Sequence, residues 1–413
     1  MEKYSEYKDS GVKWLGEIPS HWNKLALKHI LKLKKDVVGR RSSQYDLLSL
    51  TLKGVVKRDM ENPEGKFPAS FDTYQAVEPK DFIFCNFDNE ETPRAVGLSP
   101  YKGMITGAYD VLSRKNPKLT DGFLIYYFLY IDDAKRFKPL YKGLRKTVPF
   151  DSFMSYKIPV PSLKEQDAIV SYLDTATAKI DAAIAQQQKM IDLLNERKQI
   201  IINNAVTKGL NPNVKMKDSD VEWIGELPEH WQLLPYRYLF YNLDKLRMPI
   251  TADQRSRNNP QYDYYGASGV IDKIDYYNVD DKVLLIGEDG ANLLLRNLPL
   301  IYKAEGKFWV NNHAHILKPI RDDYDFLAYV MEAADYTLYI TGSAQPKLSQ
   351  ANLNCVKLPI PPLEEQKAIV DYLSKRTSKI DIAIDETNNM ITLLQERKQI
   401  IINEVVTGKV KVV

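Results

Sequence analysis

The chain has 413 residues, 44% of them hydrophobic and 27% charged, with a formal net charge of +3 and two cysteines. That length allows roughly two to four domains with their own cores, the composition is that of an ordinary globular protein, and the well-separated Cys85 and Cys355 support neither a disulfide framework nor a structural zinc site. The longest strongly apolar run, GFLIYYFLYI at Gly122–Ile131, is half the length of a bilayer span and MEKYSEYKDS has no apolar signal core, so a cytoplasmic protein without a membrane partner is expected.

Along the chain, DSGVKWLGEIPSHW at Asp9–Trp22 comes first, and DSDVEWIGELPEHW at Asp218–Trp231 repeats it with 9 of 14 positions identical. Residues 23–155 follow with short β-like runs such as KDFIFCNF and an aromatic, helix-like DGFLIYYFLYI. Aligned without gaps at an offset of 200, residues 157–207 and 357–407 share 31 of 51 positions, including ERKQIIIN at Glu196–Asn203 and again at Glu396–Asn403. Residues 232–355, with DKVLLIGEDG, KFWVNNHAHILKP and DFLAYVMEAADYTLYI, fill the same place in the second half. YKGMITGAYDVL stands where AEGKFWVNNHAHIL stands in the other half, and YKGLRKTVPF precedes the first shared segment as TGSAQPKLSQ precedes the second. The pattern is a tandem duplication with diverged inserts. It predicts an α+β chain of four parts: domain 1 at 1–161, a long helix at 162–207, domain 2 at 208–361 and a second long helix at 362–413.

The helix assignment rests on Pro at the start, acidic residues in the first turn and about 45 residues without Gly or internal Pro. A heptad seam runs through Leu163, Val170, Leu173, Ile180, Ile184, Ile191, Leu194 and Ile201, and again through Leu363, Val370, Leu373, Ile380, Ile384, Ile391, Leu394 and Ile401. Thr177, Gln187 and Lys198 interrupt it, read as register control. The natural partner of each helix is the other copy, in an antiparallel coiled coil with a pseudo-two-fold axis and the two variable domains at opposite ends of a rod.

No catalytic constellation emerges. NPQY at Asn259–Tyr262 lacks the second Pro of a base-gripping motif, and Asp289, Glu305 and Lys307 sketch a nuclease triad better read as hairpin turns, as is EGK at Glu64–Lys66. GEDG, with Gly287 and Gly290, reads as a turn, and no phosphate loop follows any Gly-Lys pair. His313 and His315 share a strand face without a third ligand, so a structural role is expected, and His21 and His230 are expected to pack or hydrogen-bond at the domain entries. Neither catalytic residues nor a metal site is therefore assigned.

Recognition remains. Residues 1–161 carry a net charge of +7 and residues 207–361 carry −3, so nucleic-acid binding must come from local basic clusters. The candidates are Arg40, Arg41, Arg94, Lys102, Arg145 and Lys146 in the first domain and Arg255, Arg257, Gln345 and Lys347 in the second. Side chains of these types on loops suit hydrogen bonding to base edges and phosphates.

WLGEIPSHW and WIGELPEHW opening each half, GSAQPKLSQANLNCVKLPIPPLEEQKAIVDYL leading into a long helix, and the two-fold repetition together resemble the specificity subunits of type I restriction-modification systems over nearly the whole chain. The first half departs from the pattern where Ser162 and Lys164 stand in place of Pro362 and Glu364. The resemblance implies two target recognition domains spaced by an antiparallel coiled coil, binding a bipartite, asymmetric double-stranded DNA target. It implies assembly with two adenine-N6 methyltransferase subunits and with restriction subunits. S-adenosylmethionine, ATP and Mg then belong to those partners, and this chain binds no cofactor and catalyses nothing. The competing readings are a stand-alone DNA-cleaving or DNA-modifying enzyme and a coiled-coil protein tether.

Overall fold

The computed structural model describes residues 2–60, 68, 70–255, 259–342 and 345–412. The chain divides into two units, 1–187 with 389–413 and 188–388. Both divisions fall inside the long helices, because each unit takes a segment of both helices into its core.

In the first unit the motif Asp9–Trp22, here the Trp motif, pairs its strand Glu17–Pro19 antiparallel with Tyr7–Asp9 and delivers Trp22 into the core fully buried. Asn23–Ala26 pairs with Lys157–Val160, closing the domain on itself just before the first long helix. An antiparallel sheet has the order Leu31–Lys34, Asp110–Arg114, Phe82–Phe84, Val96–Leu98. The helix Asp121–Asp133 begins at Thr120, whose Oγ1 accepts from the Phe123 amide at 3.2 Å. Its Phe128 meets Phe84 edge-on at 5.0 Å, and the same core holds Ile169 and Leu173 of the first long helix and Ile402, Val405 and Val406 of the second.

The second unit repeats the scheme. Met216–Asp218 pairs with Glu226–Pro228, Trp231 is buried, and Gln232–Pro235 pairs with Lys357–Ile360. Its sheet runs Phe240–Asn242, Ala314–Pro319, Val279–Gly287, Ile301–Val310, the same order as in the first unit, and then adds Tyr262–Gly266 and Gly269–Ile274. The helix Tyr324–Ala333 is capped by Asp323, which accepts from the amides of Asp325 and Phe326 at 3.0 Å each. Ile202, Ala205 and Val206 of the first long helix and Ile369 and Leu373 of the second complete this core. Glu305, Gly306 and Lys307, expected in a turn, lie within a strand opposite Lys282, Asp281 and Asp280; Glu64–Lys66 lies outside the described residues.

The long helices span Leu163–Lys208 and Leu363–Val406, 46 and 44 residues. The second stops at Val406, short of the expected 413, because Gly408 adopts φ +75° and turns the chain back, with the amides of Lys409 and Val410 donating to Glu404 O. A Cβ on Gly408 would lie 2.6 Å from Pro19 and 2.9 Å from Trp22, so only glycine fits this turn against the Trp motif.

Within each unit the helix segments run antiparallel. In the first, Asp181 meets Lys398 at 2.7 Å while Leu173 shares a cluster with Val405 and Val406; in the second, Lys198 meets Asp381 at 2.6 Å while Ile202 shares one with Leu373. Lys198, an interruption of the heptad, is thus a cross-helix ion-pair residue. Val170, Ile184, Leu194, Ile201, Val370, Ile384, Ile391, Leu394 and Ile401 are half-buried, and Leu173, Ile180, Ile191, Leu373 and Ile380 are buried. Leu163 and Leu363 leave the expected seam: both are exposed, and Ile169 and Ile369 are buried in their stead. The first turns pack on their own domain, whose surface follows the 3.6-residue period and not the heptad.

Candidate nucleic-acid interface

Each unit carries a short hairpin just before its closing strand. In the first, Lys142 and Thr147 exchange backbone bonds of 2.9 and 3.0 Å around Gly143–Lys146; in the second, Ile340–Thr341 pairs with Lys347–Leu348. Both dock on the loop that leaves an inner strand of the sheet, Phe82–Phe84 in the first unit and Val279–Gly287 in the second. The Asp88 amide donates to Arg145 O and the Val148 amide to Asn86 O, each at 2.7 Å; the Gly290 amide donates to Pro346 O at 2.7 Å and the Leu348 amide to Glu288 O at 2.9 Å. Equivalent backbone bonds thus hold two hairpins of unrelated sequence.

The first hairpin gathers charge from both signs. Arg145 reaches Asp88 at 2.6 Å and stacks 4.9 Å from the Phe87 ring, while Lys146 reaches Glu90 at 2.6 Å and Glu91 at 3.4 Å. Asp88 is held below the ordinary carboxylate range by its hydrogen bonds from Arg145, and Glu90 is pulled down to about 2 by hydrogen bonds from Lys138 and Lys146. Leu144 at the tip, next to Arg145 in the chain, is fully exposed. In the second unit Lys347 pairs with Glu288 at 3.3 Å, and Gln345 is exposed.

The other predicted contacts divide. Arg40 is exposed; Arg41 pairs with Asp36 at 2.6 Å; Arg41 and Lys102 both approach the Tyr45 ring, at 5.9 Å each, with Lys102 also 3.5 Å from Glu78. Arg94 is only 16% exposed; it bonds Asp132 and Asp133 at 3.3 and 2.9 Å and ties the helix 121–133 to the sheet edge. Arg255 is likewise drawn inward, 3.2 Å from Asp272 and 4.4 Å from the Tyr264 ring. Arg257 lies outside the described residues.

The duplicated motifs build the frame behind the hairpins. Trp22 Nε1 and His21 Nε2 reach Glu165 at 3.1 and 2.7 Å; Trp231 and His230 reach Glu365 at 3.0 and 2.7 Å. Burial pushes the Glu165 carboxyl up, but hydrogen bonds from His21, Ser162 and Trp22 outweigh it and bring it down to about 2. The departure at Ser162 is a capping box: its Oγ accepts from the Glu165 amide, and Glu165 in return accepts from the Ser162 amide at 3.1 Å.

One position later, buried Gln166 accepts from the Thr120 amide at 2.7 Å and donates to Lys118 O and Pro161 O. Gln366 accepts from the Asp323 amide at 2.8 Å and donates to Asp322 and Pro361 O. Each glutamine locks its domain helix to the start of a long helix. Gln166 stands one heptad before Leu173, in the register of the seam, and its exact repetition as Gln366 beside Glu165 and Glu365 was the available signal for a second role. Among the described residues no group of three or more His, Cys, Asp or Glu could hold a metal ion, and no helix is long and apolar enough to cross a membrane.

Comparison with known proteins adds the family. A model described as the type I restriction modification DNA specificity domain matches residues 96–191 and 240–393. The chain is 25% identical over 448 residues to the inferred type I restriction enzyme MjaX specificity subunit of Methanocaldococcus jannaschii, covering 98% of both chains. It is 26% identical over 353 residues to the MjaVIII specificity subunit of the same organism, covering 75% of each. A chain solved in work on complex assembly and conformational transition of the type I R-M system superposes with a TM-score of 0.66 at 13% identity, covering 95% of this chain and 99% of that one, which establishes likeness of fold.

Proposed function

The chain belongs to the type I restriction modification DNA specificity family, and from that premise we propose that it is the non-catalytic subunit that selects the DNA sequence for a restriction-modification complex. The observation that carries the reading is the pairing of two units with one sheet order and one clasp chemistry but unrelated hairpins. Two readers built alike and tipped differently suit a bipartite, asymmetric double-stranded target.

In this reading the hairpins 142–147 and 340–348 enter successive major-groove segments, with Arg145, Lys146, Gln345 and Lys347 facing the DNA and Arg40, Arg41 and Lys102 on flanking phosphates. The acidic partners of Arg145, Lys146 and Lys347 hold those cations in place until phosphates or base edges replace them. In the same reading, a single antiparallel coiled coil of the two long helices would set the gap between the half-sites. Helices of about 65–70 Å match roughly two turns of duplex.

The partners are two adenine-N6 methyltransferase subunits and restriction subunits in the cytoplasm, and S-adenosylmethionine, ATP and Mg belong to them. ERKQIIIN presents the same face in both copies: Ile200 and Ile400 are exposed beside Gln199 and Gln399, while Ile202 and Ile402 are buried. Two equal exposed faces suit two equal partners. Selection from a random duplex library by the complex of this chain with its methyltransferase subunit tests the reading. Enrichment of a two-part motif around an unspecified spacer supports it, and enrichment of a single contiguous motif, or of none, overturns it.

A further inference from the structure

We propose that His315 is the positioning residue of the second unit's hairpin, clamping its base as a doubly protonated imidazolium, a device the first unit lacks; the functional consequence rests on the reading of the hairpins given above. His315 is 1% exposed on the strand Ala314–Pro319. Its Nδ1 lies 2.6 Å from Asp244 Oδ2 and its Nε2 lies 2.8 Å from the carbonyl oxygen of Leu348, in the returning arm of the hairpin. A backbone carbonyl has no proton to give. Burial pushes the Asp244 carboxyl up, but His315, the Ile316 amide at 2.8 Å and Arg247 outweigh that and hold it below the ordinary range, so it too is an acceptor only. A neutral imidazole has one N–H, and two acceptors require both ring nitrogens to donate.

The charges around the ring close a circuit. Asp244 lies 3.5 Å from Arg247, Arg247 3.0 Å from Glu288, and Glu288 3.3 Å from Lys347, the neighbour of Leu348. His313 and Asp289 pair separately at 3.2 Å. The fit is tight, since a Cβ on Gly290 would lie 2.9 Å from the carbonyl carbon of Pro346.

Strand register identifies the counterpart. Leu112 faces Leu33 and Phe82 as Leu317 faces Asn242 and Leu284, so Asp110 holds the place of His315, Lys35 that of Asp244 and Asn86 that of Glu288. Asp110 accepts from Asn86 Nδ2 at 2.7 Å, and Asn86 O accepts from the Val148 amide. Burial pushes the Asp110 carboxyl above its ordinary range. The first hairpin is therefore anchored without a histidine. A ring with a single N–H would leave a lone pair facing one of the two acceptors and loosen the second hairpin alone.

Two measurements on the full chain test this. With histidine labelled by 15N, NMR should find one of the five imidazoles protonated on both nitrogens at about pH 7. That signal should vanish in His315→Gln and weaken in Asp244→Asn. In cells that also carry the methyltransferase subunit, maps of N6-methyladenine should show His315→Gln relaxing one half of the target about tenfold or more and leaving the other intact, with Asp110→Asn sparing the half that His315→Gln relaxes. A singly protonated His315 at about pH 7, or a His315→Gln chain as selective in both halves as its parent, overturns the proposal. If the parent directs no bipartite methylation, the functional reading fails, and the NMR result still decides whether the clamp exists. Should His315→Gln not accumulate, Asp244→Asn carries both measurements.

Discussion

Trp22 donates its indole N–H to Glu165 at 3.1 Å across 143 residues of chain. The bond joins the first motif of the domain to the first turn of the long helix, and the strand pair 23–26 with 157–160 lies between them. Domain and helix are therefore one packed body at this junction.

Replacing Glu165 with Gln should destabilise the first unit by about 1–3 kcal/mol, the range for hydrogen bonds to a charged group, since Gln keeps the capping box but removes the charge that His21 and Trp22 meet. Glu165 is depressed to about 2 in the fold, so its contribution is complete above the ordinary carboxylate range and is lost as pH falls through about 2. Thermal unfolding followed against pH should show a shallower acid limb in Glu165→Gln. An unchanged limb would assign the acid sensitivity elsewhere.

Gln366→Leu should cost about 1–3 kcal/mol by stripping the Asp323 amide and Pro361 carbonyl of their partner while adding no useful apolar contact. Gln166→Leu should do the same in the first unit. Differential scanning calorimetry checks both, and equal Tm values for parent and variant would show that these amides find other partners.

The heptad, the domain helices and the order of the first unit's parts were legible because repetition and periodicity are local signals. Pairings that cross long stretches of chain were not: nothing near Arg94 announces Asp132 and Asp133, and nothing near Arg145 announces Asp88. Leu163 shows the opposite limit, a residue that satisfies the heptad in sequence yet sits outside it because Gln166 and Ile169 tie that turn to the domain. Glu305–Lys307 resembled a turn through its glycine, and strand pairing with Asp280–Lys282 overrode that preference.

Ile191 is buried and Ile391 half-buried on the two helices. Ile191→Asp with Ile391→Asp places unpaired carboxylates against apolar neighbours, and should abolish assembly with the methyltransferase subunit and lower helicity. Size-exclusion chromatography with circular dichroism checks this, and an intact complex would show that the seam lies on another face.

Arg145→Ala with Lys146→Ala should weaken DNA binding by the assembled complex, lower the salt slope by about 1–2, and relax only one half of the target. Binding titrations at several salt concentrations check the slope. Equal loss in both halves would contradict independent readers.

The most direct measurement is a map of N6-methyladenine in cells carrying the competent methyltransferase subunit, with and without this chain. The account predicts a new bipartite, asymmetric motif that is present only with the chain. An unchanged methylation pattern, with both proteins expressed and assembled, would contradict its role as the subunit that selects the sequence.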